Sequence, residues 1–141
     1  MATILRFEDI DGWKKARELA QAVYRAGCST PLGRDAGLRD QMQRAAVSVM
    51  ANIAEGFGRG GNREFVQFLG HARGSCAELK SHLYVALDAG MIPPQQFDQI
   101  YRLAGEAEGL TSGFMKYLQN SDVRGRKFRS GNAPTIANRK P

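Results

Sequence analysis

The chain has 141 residues, 43% hydrophobic and 24% charged, so one compact domain is expected and wholesale disorder is excluded. No run approaches the ~20 apolar residues that span a bilayer, and the first twenty residues mix charges instead of following the order of a signal peptide. The formal net charge of +6 is unevenly placed: residues 1–120 hold 14 Lys and Arg against 13 Asp and Glu, whereas residues 121–141 hold six basic residues against Asp122 alone.

Helical periodicity dominates, and no stretch alternates apolar and polar residues between turn signals. The first helix is expected over Asp9 to Ala26, with Ile10, Trp13, Ala16, Ala20 and Val23 at three- and four-residue steps, Asp9 or Asp11 as its cap and Gly27 at its end. A loop follows, broken by Pro31 and Gly33. The second helix is expected over Asp35 to Phe57, on a stripe of Leu38, Met42, Ala45, Ala46, Val49 and Ile53. After the glycine-rich Gly56 to Gly61, the third opens on Asn62 as N-cap and reaches Ala89, with Gly90 as its stop. Pro93-Pro94 opens the fourth, which runs to about Asn120. Short connections between four amphipathic helices predict an all-α, antiparallel up-down-up-down four-helix bundle over residues 1–120. Residues 121–141 are then a basic, flexible C-terminal tail, because they carry almost no large apolar residues.

On a 100° wheel, Gln41, Arg44, Ser48, Asn52 and Glu55 of the second helix share an arc about 80° wide beside the apolar stripe. The remaining arc carries Val47, Ala51 and Ala54 and is less polar than a solvent face. A helix apolar on two sides is expected to be surrounded, with the polar ladder as a hydrogen-bonded network; the alternative is a solvated face.

The run Gln41-Met-Gln-Arg44-Ala-Ala-Val-Ser48-Val-Met-Ala-Asn52-Ile-Ala-Glu55-Gly56-Phe-Gly-Arg59 is followed by Glu64-Phe65, Phe68-Leu69, Ala72, Ser75 and Glu78-Leu79. With Phe7 and Trp13, these residues closely resemble a family of bacterial four-helix-bundle proteins. Its open reading frames were first noted in intervening sequences of large-subunit ribosomal RNA genes, and it includes the accessory variability proteins of diversity-generating retroelements. The resemblance covers about residues 7–119. It implies a homopentamer, and in the retroelement branch binding to a reverse transcriptase and nucleic acid. Asp35 stands where the family usually has Glu, and the basic tail lies outside the family pattern.

Signals for catalysis or cofactor binding are weak. Gly56, Gly58 and Gly61 match G-x-G-x-x-G, but after a helix instead of a strand, so they read as a turn. Arg59 and Arg63 flank the start of the third helix, where an anion can bind. His71 and His82 lie about 16 Å apart along one helix, too far to share a metal, and neither has a Glu three residues before it. Cys28 and Cys76 lack zinc spacing and fit a reducing cytoplasm. No enzyme, metal or cofactor is expected.

Gly105, Gly109 and Gly113 recur every four residues opposite the apolar arc of the fourth helix, and Gly70 and Gly74 repeat the pattern on the third. Each glycine costs ~1 kcal/mol inside a helix, and smooth grooves allow another subunit's helix to approach. These five are the expected subunit interface, unless the bundle simply tolerates poor helix formers. The expected function is a cytoplasmic, non-enzymatic homo-oligomeric adaptor with no membrane contact. It would bind RNA or DNA through Arg124, Arg126, Lys127 and Arg129, with Arg59 and Arg63 as further contacts. The alternative is a protein-interaction scaffold without nucleic-acid binding.

Overall fold

The computed structural model describes the backbone of residues 4–128 and the side chains of residues 4–121. Four α-helices, α1 (Asp11–Ser29), α2 (Ala36–Gly58), α3 (Asn62–Asp88) and α4 (Pro94–Phe128), account for most of it, and no strand occurs among the described residues. Each helix packs on the next, and α4 closes on α1. Ser48 of α2 meets Ser75 of α3, Lys80 of α3 meets Glu108 of α4, and Gly12 of α1 lies against Thr111 of α4. The chain end of α1 meets the start of α2 where Gly27 packs against Arg39. Neighbouring helices are therefore antiparallel. The core is filled by Leu19 and Val23 of α1, Met42 and Ile53 of α2, Phe65, Leu69, Leu79 and Leu83 of α3, and Ile100 and Leu118 of α4. Burying each of these larger side chains favours folding by roughly 1.5–3 kcal/mol.

The helix ends show which local signals win. Asp35 caps α2, its carboxylate accepting the Leu38 N–H at 3.0 Å. At the end of α3, Gly90 adopts a left-handed φ of 71°, its N–H bonds the Leu87 carbonyl, and the Met91 N–H reaches the Ala86 carbonyl at 2.8 Å. That pair of bonds is a Schellman stop. Pro94 then begins α4, where its missing N–H costs nothing.

Four expectations about boundaries are corrected. Neither Asp9 nor Asp11 caps α1: Asp9 instead accepts the Leu5 and Arg6 N–H groups in the preceding turn, and Asp11 is the first helical residue. Gly27 does not end α1, which continues to Ser29. A Cβ at Gly27 would meet the Gln43 side chain at 3.2 Å and Arg39 at 3.4 Å, so the position answers to packing against α2. Asn62 is not the cap of α3; Gly61 holds that place, and Asn62 lies inside the first turn, only 6% exposed. Finally, α4 continues past Asn120 to Phe128, because nothing at Asn120-Ser121 breaks a helix. Residues 121–128 thus extend α4, while the expected flexibility of residues 129–141 lies outside the described residues.

Candidate functional site

The polar arc of α2 divides when it meets its neighbours. Ser48 and Asn52 are half-buried on the α3 side: the Ser48 and Ser75 hydroxyls lie 2.9 Å apart, and the Asn52 amide donates to the Ser48 carbonyl at 2.8 Å and its hydroxyl at 2.9 Å. Gln41, Arg44 and Glu55 are exposed. Glu55 accepts a bond from Arg59 at 3.2 Å, whereas Gln41 and Arg44 make no hydrogen bond among the described residues. One continuous ladder is therefore not present within the chain. Among the described residues, Ser48 alone of the arc bonds to α3, and Asn52 bonds back to Ser48 within α2. The face carrying Val47 and Ala51 is exposed among the described residues; Val47 is 43% exposed.

The five glycines of the expected interface also separate. Around Gly74, Gly109 and Gly113 a Cβ would meet nothing within 4 Å, so they face open space. A Cβ at Gly70 would lie 3.9 Å from Met115 and one at Gly105 3.8 Å from the Lys80 ammonium, which places both beside the α3–α4 contact of the same chain. A tight glycine between α2 and α3 is not visible from the sequence. A Cβ at Gly56 would come within 2.7 Å of both the Phe65 ring and the Phe68 Cβ, so α2 and α3 cross there on a residue with no side chain.

Half of the 14 Lys and Arg of residues 1–120 answer carboxylates of the same chain. Lys80 Nζ lies 2.7 Å from Glu108 Oε1, and hydrogen bonding to Glu108 raises the Lys80 pKa above its ordinary value. Lys15 bridges Glu18 at 3.3 Å and Glu106 at 3.4 Å, at the edge of a polar cleft of about 270 Å³ between α1 and α4. Arg59 lies between Glu55 at 3.2 Å and Glu64 at 3.7 Å, and its guanidinium stands 5.1 Å from the Phe68 ring. Arg59 is thus not a free cation: the carboxylate of Glu64, across the turn, joins that of Glu55. Arg63 is exposed and makes no ion pair among the described residues. Arg124, Arg126 and Lys127 lie in the last turns of α4, and Arg129 lies outside the described residues.

Among the described residues, no group of three or more His, Cys, Asp or Glu can hold a metal, and no helix is long and apolar enough to cross a membrane. Cys76 is buried in the core, where desolvation and then the Glu108 charge push its thiol up to about 12; Cys28 is exposed. Among the described residues, two buried polar side chains lack hydrogen-bond partners: the Asn62 amide and the Thr111 hydroxyl, which faces Gly12.

The helix order and the α2–α3 crossing define an all-helical protein of four helices. The profile of the 23S rRNA-intervening sequence protein family matches residues 8–113, and the chain belongs to that family. It is also similar to a solved structure from Bacteroides thetaiotaomicron, a protein of unknown function from the S23 ribosomal protein family. The two superpose with a TM-score of 0.68 at 20% identity, over 74% of this chain and 98% of the other. No curated protein matches.

Proposed function

We propose that the protein is a non-enzymatic, homo-oligomeric cytoplasmic adaptor that binds the phosphate backbone of a nucleic acid through its C-terminal cations. The observation that carries this reading is the contrast in charge balance: residues 1–120 hold 14 Lys and Arg against 13 Asp and Glu. Arg6, Lys14, Lys15, Arg39, Arg59, Lys80 and Arg102 each lie within 4.0 Å of a carboxylate of the same chain. No acid follows Asp122, while six Lys and Arg do. Cations that neutralise phosphates release counterions from a polyanion, and this drives backbone binding with little sequence preference. A homopentamer would multiply the +6 of one chain and bind multivalently. The open Gly74, Gly109 and Gly113 and the exposed Val47 support self-association.

The family description names 23S rRNA, which makes RNA the first polyanion to test. Binding of fluorescein-labelled duplex RNA at low salt is expected for the full chain. It should weaken strongly when Arg124, Arg126, Lys127 and Arg129 are all changed to Gln. Absence of binding by the full chain at low salt would overturn the reading and leave a protein-interaction scaffold, which the exposed Val47 and Val85 favour.

A further inference from the structure

We propose that the aromatic corner where α3 ends and α4 begins is a docking surface for a cationic segment of a partner protein, one rich in arginine or lysine. Three rings meet there. The Tyr84 ring centroid lies 5.1 Å from that of Phe97 and 5.8 Å from that of Tyr101, and Phe97 stacks on Tyr101 at 5.4 Å with 26° between the planes. Phe97 and Tyr101 rest against the core, so the cluster has a fixed base. Tyr84, 50% exposed, presents its ring to solvent, with Val85 beside it at 53%. The neighbouring Tyr101 phenol raises the Tyr84 phenol above its ordinary value.

The charges around the rings select the occupant. Asp88 lies one turn after Tyr84 and acts on its phenol, and Asp98 adjoins Phe97. Both are exposed, and neither makes an ion pair or hydrogen bond among the described residues. The cation of the corner, Lys80, stands 5.0 Å from the Tyr101 ring but is cancelled by Glu108 at 2.7 Å. Arg102 is exposed and reaches Glu106 at 4.0 Å. What remains is a group of π faces beside two uncompensated carboxylates. Guanidinium and ammonium groups gain from both features, through cation–π attraction and charge pairing. A nucleic acid would gain only stacking, and its phosphates would meet Asp88 and Asp98. The corner lies at the opposite end of α4 from Arg124 and Lys127, so it stands independently of the phosphate contact proposed above.

The test is binding of a fluorescein-labelled octa-arginine peptide to the full chain, followed by anisotropy. Saturable binding is expected. It should weaken roughly fivefold in Tyr84→Ala and in an Asp88→Asn, Asp98→Asn double variant, and hold in Tyr84→Phe, which keeps the ring. Tyr84 is exposed, and circular dichroism should show unchanged helicity. No saturable binding, or binding equal in all variants, overturns the proposal. So does a fall in sedimentation mass in Tyr84→Ala, which would assign the corner to a second copy. Tyr84-dependent binding of oligouridylate with none of octa-arginine would overturn it in favour of base stacking.

Discussion

Gly56 sits where two helices cross with no room for a methyl group. Its Cβ would overlap Phe65 and Phe68, and Phe65 is itself locked edge-on against Phe114 at 5.4 Å. We expect Gly56→Ala to destabilise the fold by about 1–3 kcal/mol in urea unfolding, although alanine is the better helix former. A gain in stability would mean that the rings have space to yield. Cys76 carries a pH signature. Its folded thiol is raised from the ordinary 9.0 to about 12, so the unfolded chain loses the proton first as pH rises. The contribution of the neutral thiol is thus complete below about pH 9 and is lost as pH climbs towards 12. Cys76→Ala should remove that slope from stability–pH curves measured over this window, while Cys28 alone reacts with a thiol reagent in the folded protein.

At the scale of the elements, the open glycines of α4 separate folding from assembly. Nothing lies within 4 Å of a Cβ at Gly109, so Gly109→Leu should leave the bundle's unfolding midpoint unchanged or raise it by up to ~1 kcal/mol of helix propensity. If this face receives a second copy, the same change should lower the mass seen by sedimentation equilibrium. Loss of helicity in step with mass would count against the mechanism. The helices themselves were legible because their stripes follow the 3.6-residue period and because Gly90 and Pro94 punctuate by backbone geometry alone. What was not legible depends on neighbours. Gly27 resembles a stop signal yet serves contact with Arg39 and Gln43, and Asn62 resembles a cap yet is drawn into the interior. A helical wheel groups Ser48 and Asn52 with Arg44 and Glu55, but it cannot say which edge of the arc meets Ser75. The excess of C-terminal charge was open to counting. The neutralisation of Arg59 by Glu64 was not, because it forms only when the chain turns between α2 and α3.

For the whole molecule, the proposed recognition lies outside the charge-balanced part of the bundle, with α4 carrying cations beyond it. The central claim is that Arg124, Arg126, Lys127 and Arg129 meet phosphates. The most direct measurement is the dependence of log Kd on log salt concentration for a duplex DNA probe, in the full chain and in the fourfold Gln variant. Each phosphate contact adds ~0.9 to the magnitude of that slope. The account predicts that the variant loses slope by up to roughly 4 × 0.9 together with affinity, with helicity and sedimentation mass unchanged. An identical slope and affinity in the two proteins would contradict it and move the contact onto the bundle, where Arg63 and Arg73, both exposed and without an ion pair among the described residues, are the cations to test next.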